Sequence, residues 1–366
     1  MDYIVKELPI TFDIEFTVDF GHALPLCILN SREQFKNWLL QNYMMPVIFY
    51  TDIDQFDCLV IDAMQYGFLS KVPPSLMRFS FVGDDIMSNV RDIIGLVKGR
   101  IAEGWYCILF LDCYYIQGTV DYQKNHYAHE VLLYGYNDKE QTIRTVIFDN
   151  ALKPISVPYC DVGLSYREAF RCIKDRSGWD EYMMLLYKPT DEHRKEYPYD
   201  VYSVLDKLKY YLDAKMAESD YYSEYLYLKC GKEKCYPGIQ MNKAVLEMVR
   251  ELKDRFMELG DKPEKYDLFR QYHPMHTYSE FHRGLFRRIQ YLGSCGGDRL
   301  MDPHMADKYN DIVLLCERMR LCYIKINVMK NGKNDKGIIV NLDKMVKYAE
   351  EIYNKEPDIL YKLIHY

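Results

Sequence analysis

The chain changes character near residue 190, and that change limits the folds open to it. Upstream, short apolar runs of strand length alternate with stretches of helical spacing. Downstream of Tyr199 almost every segment repeats its apolar residues with a helical period. Strands are predicted at Pro46–Tyr50, Tyr106–Tyr114, His129–Tyr136, Ile143–Asp149 and Glu181–Tyr187. Ile86, Val90, Ile93, Ile94, Val97 and Ile101 give Asp84–Glu103 the apolar face of a helix. Ser31-Arg-Glu-Gln34 has the form of a capping box and predicts a helix running through Trp38 and Leu39. Lys188–Pro198 is polar, carries a proline near each end and reads as a linker. Beyond it, helices are predicted at Val201–Tyr227, Gln240–Leu259, Tyr278–Leu292, Ala306–Ile324 and Leu342–Tyr353. The expected organisation is an α+β domain over 1–190, a linker at 191–198 and an all-helical domain over 199–366. A length of 366 residues suits two such domains.

Composition narrows the partners. Asp and Glu outnumber Lys and Arg by 54 to 47, a net charge of -7, so broad attraction to nucleic acid or an anionic bilayer is not expected. No apolar run approaches bilayer-spanning length, and Met1–Glu7, charged on both sides of a short apolar stretch, is not patterned as a signal peptide. The 11 cysteines are odd in number and irregularly spaced, which points to reduced thiols in the cytoplasm, most of them small buried hydrophobes. Cys107 and Cys113 suit that reading; Cys230 and Cys235 lack the second Cys/His pair of a structural zinc site. Tyrosine is abundant, with 35 copies against three Trp; coding DNA rich in A and T explains this more simply than a Tyr-lined binding surface.

The strongest local pattern is His129-Glu-Val-Leu-Leu-Tyr-Gly-Tyr136, a polar break, then Ile143-Arg-Thr-Val-Ile-Phe-Asp149. Two such runs make an antiparallel hairpin, and a centre near Lys139 sets His129 opposite Asp149. Cross-strand partners share a face with Cβ atoms about 4.5–5.5 Å apart, close enough for a carboxylate to orient an imidazole. A slip of one residue would send one of the two to the other face. A thiol approaching that imidazole would complete a nucleophilic set. Cys27 is the candidate: it follows Gly21 and Pro25 and shortly precedes an expected helix, whose N-terminus favours a thiolate. Whether that helix begins near Cys27 or at Ser31 is not set by the pattern. One more buried apolar residue is the alternative for a cysteine standing alone.

An early Cys, a His opening one strand and an acidic residue ending the next resemble papain-like enzymes. Within that group the chain resembles the bacteriocin-leader peptidase (C39) branch and the butirosin biosynthesis H-like N-terminal family. The resembling segments are Gly21–Leu29 and His129–Tyr136 with Val146–Asn150. In the butirosin-type proteins a helical domain follows the catalytic one, as expected here near residue 190. The resemblance implies a papain-like fold and extends to amide-forming, transglutaminase-like members, as in closthioamide-type antibiotic assembly. Cys27 would then take an acyl chain from the phosphopantetheine thioester of a peptidyl or acyl carrier protein and pass it to a small amine or diamine. His129 would be the base and Asp149 its orienter, with no cofactor and no metal. A hydrolytic peptidase and a non-catalytic carrier-docking scaffold are the alternatives. Papain-like enzymes commonly carry a Gln ahead of the nucleophile where this chain has Gly21. The backbone N–H of Cys27, with His22 and Asn150 as auxiliary donors, is the substitute oxyanion set, though a core histidine is the more ordinary reading of His22.

Three rivals have simpler explanations. Gly293-Ser-Cys295-Gly-Gly-Asp298 has no preceding strand and reads as an interhelical loop. His126 and His129 with Asp149 would make a metal set only if both imidazoles shared a face, which their spacing on a strand forbids. Lys229–Lys234 and Lys330–Lys336 are basic clusters that a solvated loop explains as well as a docking site does.

Overall fold

The computed structural model describes residues 4–17, 20–42, 47–49, 60–61, 72–149, 151–175, 184–190, 197–214, 235–269, 273–296 and 304–365. In chain order the elements are β1 (Val5–Glu7), α1 (Phe20–Leu29), α2 (Lys36–Asn42), β2 (Val47–Phe49), β3 (Val60–Ile61), β4 (Met77–Val82), α3 (Asp84–Met87), α4 (Ile93–Ala102), β5 (Tyr106–Asp112), β6 (Ala128–Asn137), β7 (Thr142–Phe148), β8 (Leu152–Pro158), α5 (Tyr159–Asp175), β9 (Met184–Pro189), α6 (Val201–Leu212), β10 (Cys235–Pro237), α7 (Met241–Glu258), α8 (His273–Gly296), α9 (His304–Asn331) and α10 (Asp335–Ile364). The class is α+β. Two compact units divide the chain: Met1–Lys36 with Phe68–Tyr197, and Asn37–Gly67 with Pro198–Tyr366. The segment Asn37–Gly67, upstream of the expected linker, thus groups with the second unit. The linker expected at 191–198 lies outside the described residues except for its last two.

The first unit is built on an antiparallel sheet in the order β4-β9-β5-β6-β7-β8, with β1 paired to the far end of β6. β5 and β6 are buried along nearly their whole length, which is why they read as continuous apolar runs. The edge strand β8 carries Pro154 and Pro158, residues that cannot donate to a further neighbour. Near the end of β6, a Cβ on Gly135 would come within 2.8 Å of the Lys6 carbonyl oxygen, so the crossing of β1 requires glycine there. A register shift falls at the same place, between Leu133 and Gly135. α5 packs against β5 and β6, and α1 against β6.

α1 has no charged residue, and Ala23–Leu29 are fully buried, as an all-apolar helix must be. Two helix starts differ from expectation. Ser31 does not cap α2: its hydroxyl donates to the Ile28 carbonyl, and Arg32 stands at the helix entry without a side-chain cap. Ser31 lies two residues past the end of α1, so it meets an orphan carbonyl of the ending helix before it can serve the next. Asp84–Glu103 is two helices, because Asp92 accepts from the Gly95 amide at 2.8 Å and starts α4 afresh.

The second unit combines a small sheet, β10-β2-β3, with the long C-terminal helices. The expected strand Pro46–Tyr50 is β2 in this sheet. At the centre of the helices lies a fully buried polar network. Glu356 of α10 accepts from Tyr309 (2.6 Å) and Tyr211 (3.3 Å) on one oxygen, and from Asn242 and His282 Nε2 (3.3 Å) on the other. Tyr278 donates to Asn242 at 2.7 Å, and the His282 Nδ1–H donates to the Tyr278 carbonyl at 2.8 Å. Among the described residues, no helix is long and apolar enough to cross a membrane.

Candidate functional site

The end of β5, the start of β6, the end of β7 and the start of β8 lie at one margin of the sheet, and Asp112, His129 and Asp149 stand there. On this side of the β6 bulge, Leu132 pairs with Val146 and Leu133 with Thr145. Three residues further along each strand from the Leu132–Val146 pair lie His129 and Asp149, the latter just past the end of β7. Both are buried, at 4% and 5% exposure. Each bonds to another group. His129 Nδ1 lies 3.1 Å from the Glu130 carbonyl; since a carbonyl only accepts, the neutral ring carries its proton on Nδ1 and its lone pair on Nε2. Burial pushes the His129 pKa down, against a smaller upward effect of that same bond, so the ring is neutral. Asp149 Oδ2 accepts from Lys153 Nζ at 2.7 Å. Its Oδ1 is buried and accepts from no described residue, an unusual state for a carboxylate oxygen.

Cys27 lies in the last turn of α1, not ahead of a helix. The N-terminal stabilisation expected for its thiolate is therefore absent, and the helix dipole there opposes negative charge. The apolar run from Phe20 buries best as one helix, which carries Cys27 to its end. The thiol is fully covered, and burial pushes its pKa up to about 12, with the local backbone hydrogen bond opposing. Cys27 in this state is a thiol. Iodoacetamide at near-neutral pH should accordingly label the exposed Cys160 and Cys295 while sparing Cys27, checked by peptide mapping; labelling of Cys27 as fast as of Cys295 would refute the covered, protonated state. The thiol that shares the electrostatic surroundings of Asp149 is Cys113, itself pushed up to about 12, chiefly by burial and further by Asp121, Asp112 and Asp149.

Of the auxiliary donors, the backbone of His22 lies in α1 while its side chain falls outside the described residues, as does all of Asn150. Cys295 occupies the exposed last turn of α8, in place of an interhelical loop. Cys235 opens β10, and Cys230 is outside the described residues.

A second constellation on the same margin was not anticipated. Asp112 ends β5 and is fully buried; its Oδ1 accepts from the amides of Tyr114 (3.1 Å) and Tyr127 (3.0 Å). Its Oδ2 meets His126 Nδ1 at 2.7 Å and Cys172 Sγ at 3.8 Å. The His126 ring stacks on Tyr114 at a centroid distance of 4.2 Å. Leu111 pairs with His129 across β5–β6, so Asp112, its neighbour, belongs to the opposite face. His126 lies ahead of β6, not on the strand with His129, and bonds Asp112 on the face opposite His129. The sequence signal for this group was slight: Cys172 sits on an unpredicted amphipathic helix, far along the chain from Asp112.

A scan against known protein-family models finds no match, and a search of curated proteins finds none either.

Proposed function

We propose that the first unit is a cysteine-dependent acyltransferase of papain-like type, in which Cys27 carries the acyl group and His129 moves the protons. The observation that supports this reading is that two buried groups lie on neighbouring strands, a neutral imidazole at His129 in β6 and a carboxylate at Asp149 just past the end of β7. His129 Nε2 takes the thiol proton as the Cys27 sulfur attacks the thioester carbonyl of a carrier-bound chain, then gives it to the departing phosphopantetheine thiol. A small amine or diamine next attacks the acyl-enzyme. His129 takes its proton and returns it to the Cys27 sulfur as the amide leaves. Asp149 steadies the transient imidazolium, with Lys153 holding the carboxylate in place. Because the resting sulfur is a thiol, proton transfer accompanies attack; no preformed ion pair is involved. Cys27 must be uncovered when substrate binds. The cytoplasm, which keeps thiols reduced, suits such an enzyme, and Cys27 is a free cysteine.

The covering of Cys27 favours one other reading, a carrier-docking scaffold that uses no thiol chemistry. Intact-protein mass spectrometry separates the two. After incubation with an acyl thioester, the wild type and Cys295→Ala should gain one acyl mass and Cys27→Ala none, and added diamine should discharge the adduct as amide. An unmodified wild-type protein would leave the scaffold, and discharge as the free acid in the presence of diamine would leave a hydrolase.

A further inference from the structure

We infer that Asp112, His126 and Cys172 form a binding site for a zinc-class divalent cation, at the margin of the sheet but on the face opposite His129. One carboxylate oxygen, one imidazole nitrogen and one sulfur from these residues lie within 4.8 Å of one another. They converge on a point; a catalytic relay would instead string them out, with the thiol and the carboxylate on the two separate ring nitrogens. Around a tetrahedral ion with bonds of about 2.0–2.3 Å, neighbouring ligand atoms stand roughly 3.3–3.7 Å apart. The 3.8 Å from Cys172 Sγ to Asp112 Oδ2 already matches that spacing. The 2.7 Å from His126 Nδ1 to the same oxygen is a hydrogen bond that opens by about half an ångström when a metal replaces its proton.

Charge favours occupancy. Asp112 is fully buried, and its ion pair among the described residues is with His126. A buried carboxylate without a full counter-charge is costly. With Cys172 as thiolate, a dication brings the group to neutrality. Binding sends the thiol proton to solvent, and the ion takes the place of the proton between His126 Nδ1 and Asp112, leaving the imidazole its proton on Nε2. Thiolate and imidazole together select zinc-class ions over magnesium and calcium, which prefer all-oxygen sets. Asp112 is prearranged by the Tyr114 and Tyr127 amides, the outer support that ligating carboxylates need. Glu168, one turn before Cys172 on α5, stands outside the group and pairs with Arg171. His126 is half-exposed, so the fourth position faces water. The bound ion would tie the 113–127 connection to α5.

The test is titration of the full chain with Co2+, followed by displacement with Zn2+. The wild type and Cys160→Ser should bind one equivalent, with a thiolate-to-cobalt charge-transfer band that Zn2+ abolishes. Cys172→Ser should lose that band, and His126→Gln should bind roughly a hundredfold more weakly or worse. His126→Gln alters a half-exposed side chain, so its thermal melt without metal should match the wild type, and it carries the test even if Asp112→Asn fails to fold. No saturable band in the wild type, or an equal band in Cys172→Ser, overturns the site. Neither result bears on acyl transfer at Cys27.

Discussion

His129→Ala should slow acylation of Cys27 by about 10²–10⁴-fold, measured as single-turnover adduct formation by mass spectrometry. The thiol is held protonated by burial, so attack depends on a base at the moment of reaction, the part that the proposed mechanism gives to His129 Nε2. Asp149→Asn should cost part of the same factor, since it removes the charge that steadies the imidazolium and frees Lys153. The pH profile carries a further signature. Burial lowers the His129 pKa, so the neutral, proton-accepting ring persists to lower pH, and the acid limb should lie below the ordinary value of 6.5. A preformed thiolate–imidazolium pair would move both groups the other way, with the imidazole raised and the thiol lowered. An acid limb above 6.5, or a His129→Ala rate within a factor of about three of wild type, would exclude His129 as the base.

The largest stability effect is expected in the other unit. Glu356→Ala should destabilise it by about 3–5 kcal/mol, read by chemical denaturation, because the change strands a buried imidazolium and several donors. Burial alone would raise the Glu356 carboxyl; the charge of His282 and the bonds from His282, Tyr309 and Asn242 outweigh it and hold the group below the usual range. For His282, burial opposes the charge, but Cys316 and Glu356 win and hold it well above the usual imidazole value. The raised His282 stabilises fully below its unfolded value of 6.5 and loses that contribution as pH climbs through its elevated folded value. The lowered Glu356 stabilises above its unfolded value of 4.5 and loses that contribution as pH falls through its depressed one. Both contributions are complete between about 4.5 and 6.5, and Glu356→Ala should flatten the decline on either side. A loss under about 1 kcal/mol would mean that the network is neutral, as buried pairs sometimes are against an apolar replacement. The double variant Glu356→Leu with His282→Leu should then lose less than the two single changes added together, since it leaves no unpaired charge.

Several elements were legible in the residues because their cause is local. Apolar runs marked β6 and β7 and the polar break marked the hairpin between them, but the bulge at Leu133–Gly135 shifts the pairing by one residue between the turn and the site. Helical spacing marked α7 to α10. The failures also have physical reasons. β4 is exposed over most of its length and β8 has two prolines, so neither shows the apolar signature of a central strand. Ser31-Arg-Glu-Gln34 satisfies a capping pattern, yet Ser31 is claimed by the end of α1. Cys27 lies inside a helix and not ahead of one: Pro25 sits within α1, where burying the apolar run outweighs the one amide bond that proline forgoes.

Period, polarity and turn residues speak only for a residue and its near neighbours, and they carried the α+β class, the hairpin and the helical C-terminal half. The assembly of side chains from separate segments belongs to packing. Asp112 meets Cys172 because α5 lies across β5; Glu356 meets Tyr211, Asn242, His282 and Tyr309 because several helices surround it. Packing also covered the Cys27 sulfur and set its protonation. Such contacts bring together residues whose local patterns are independent, and a pKa depends on the dielectric and charges that only the closed chain supplies.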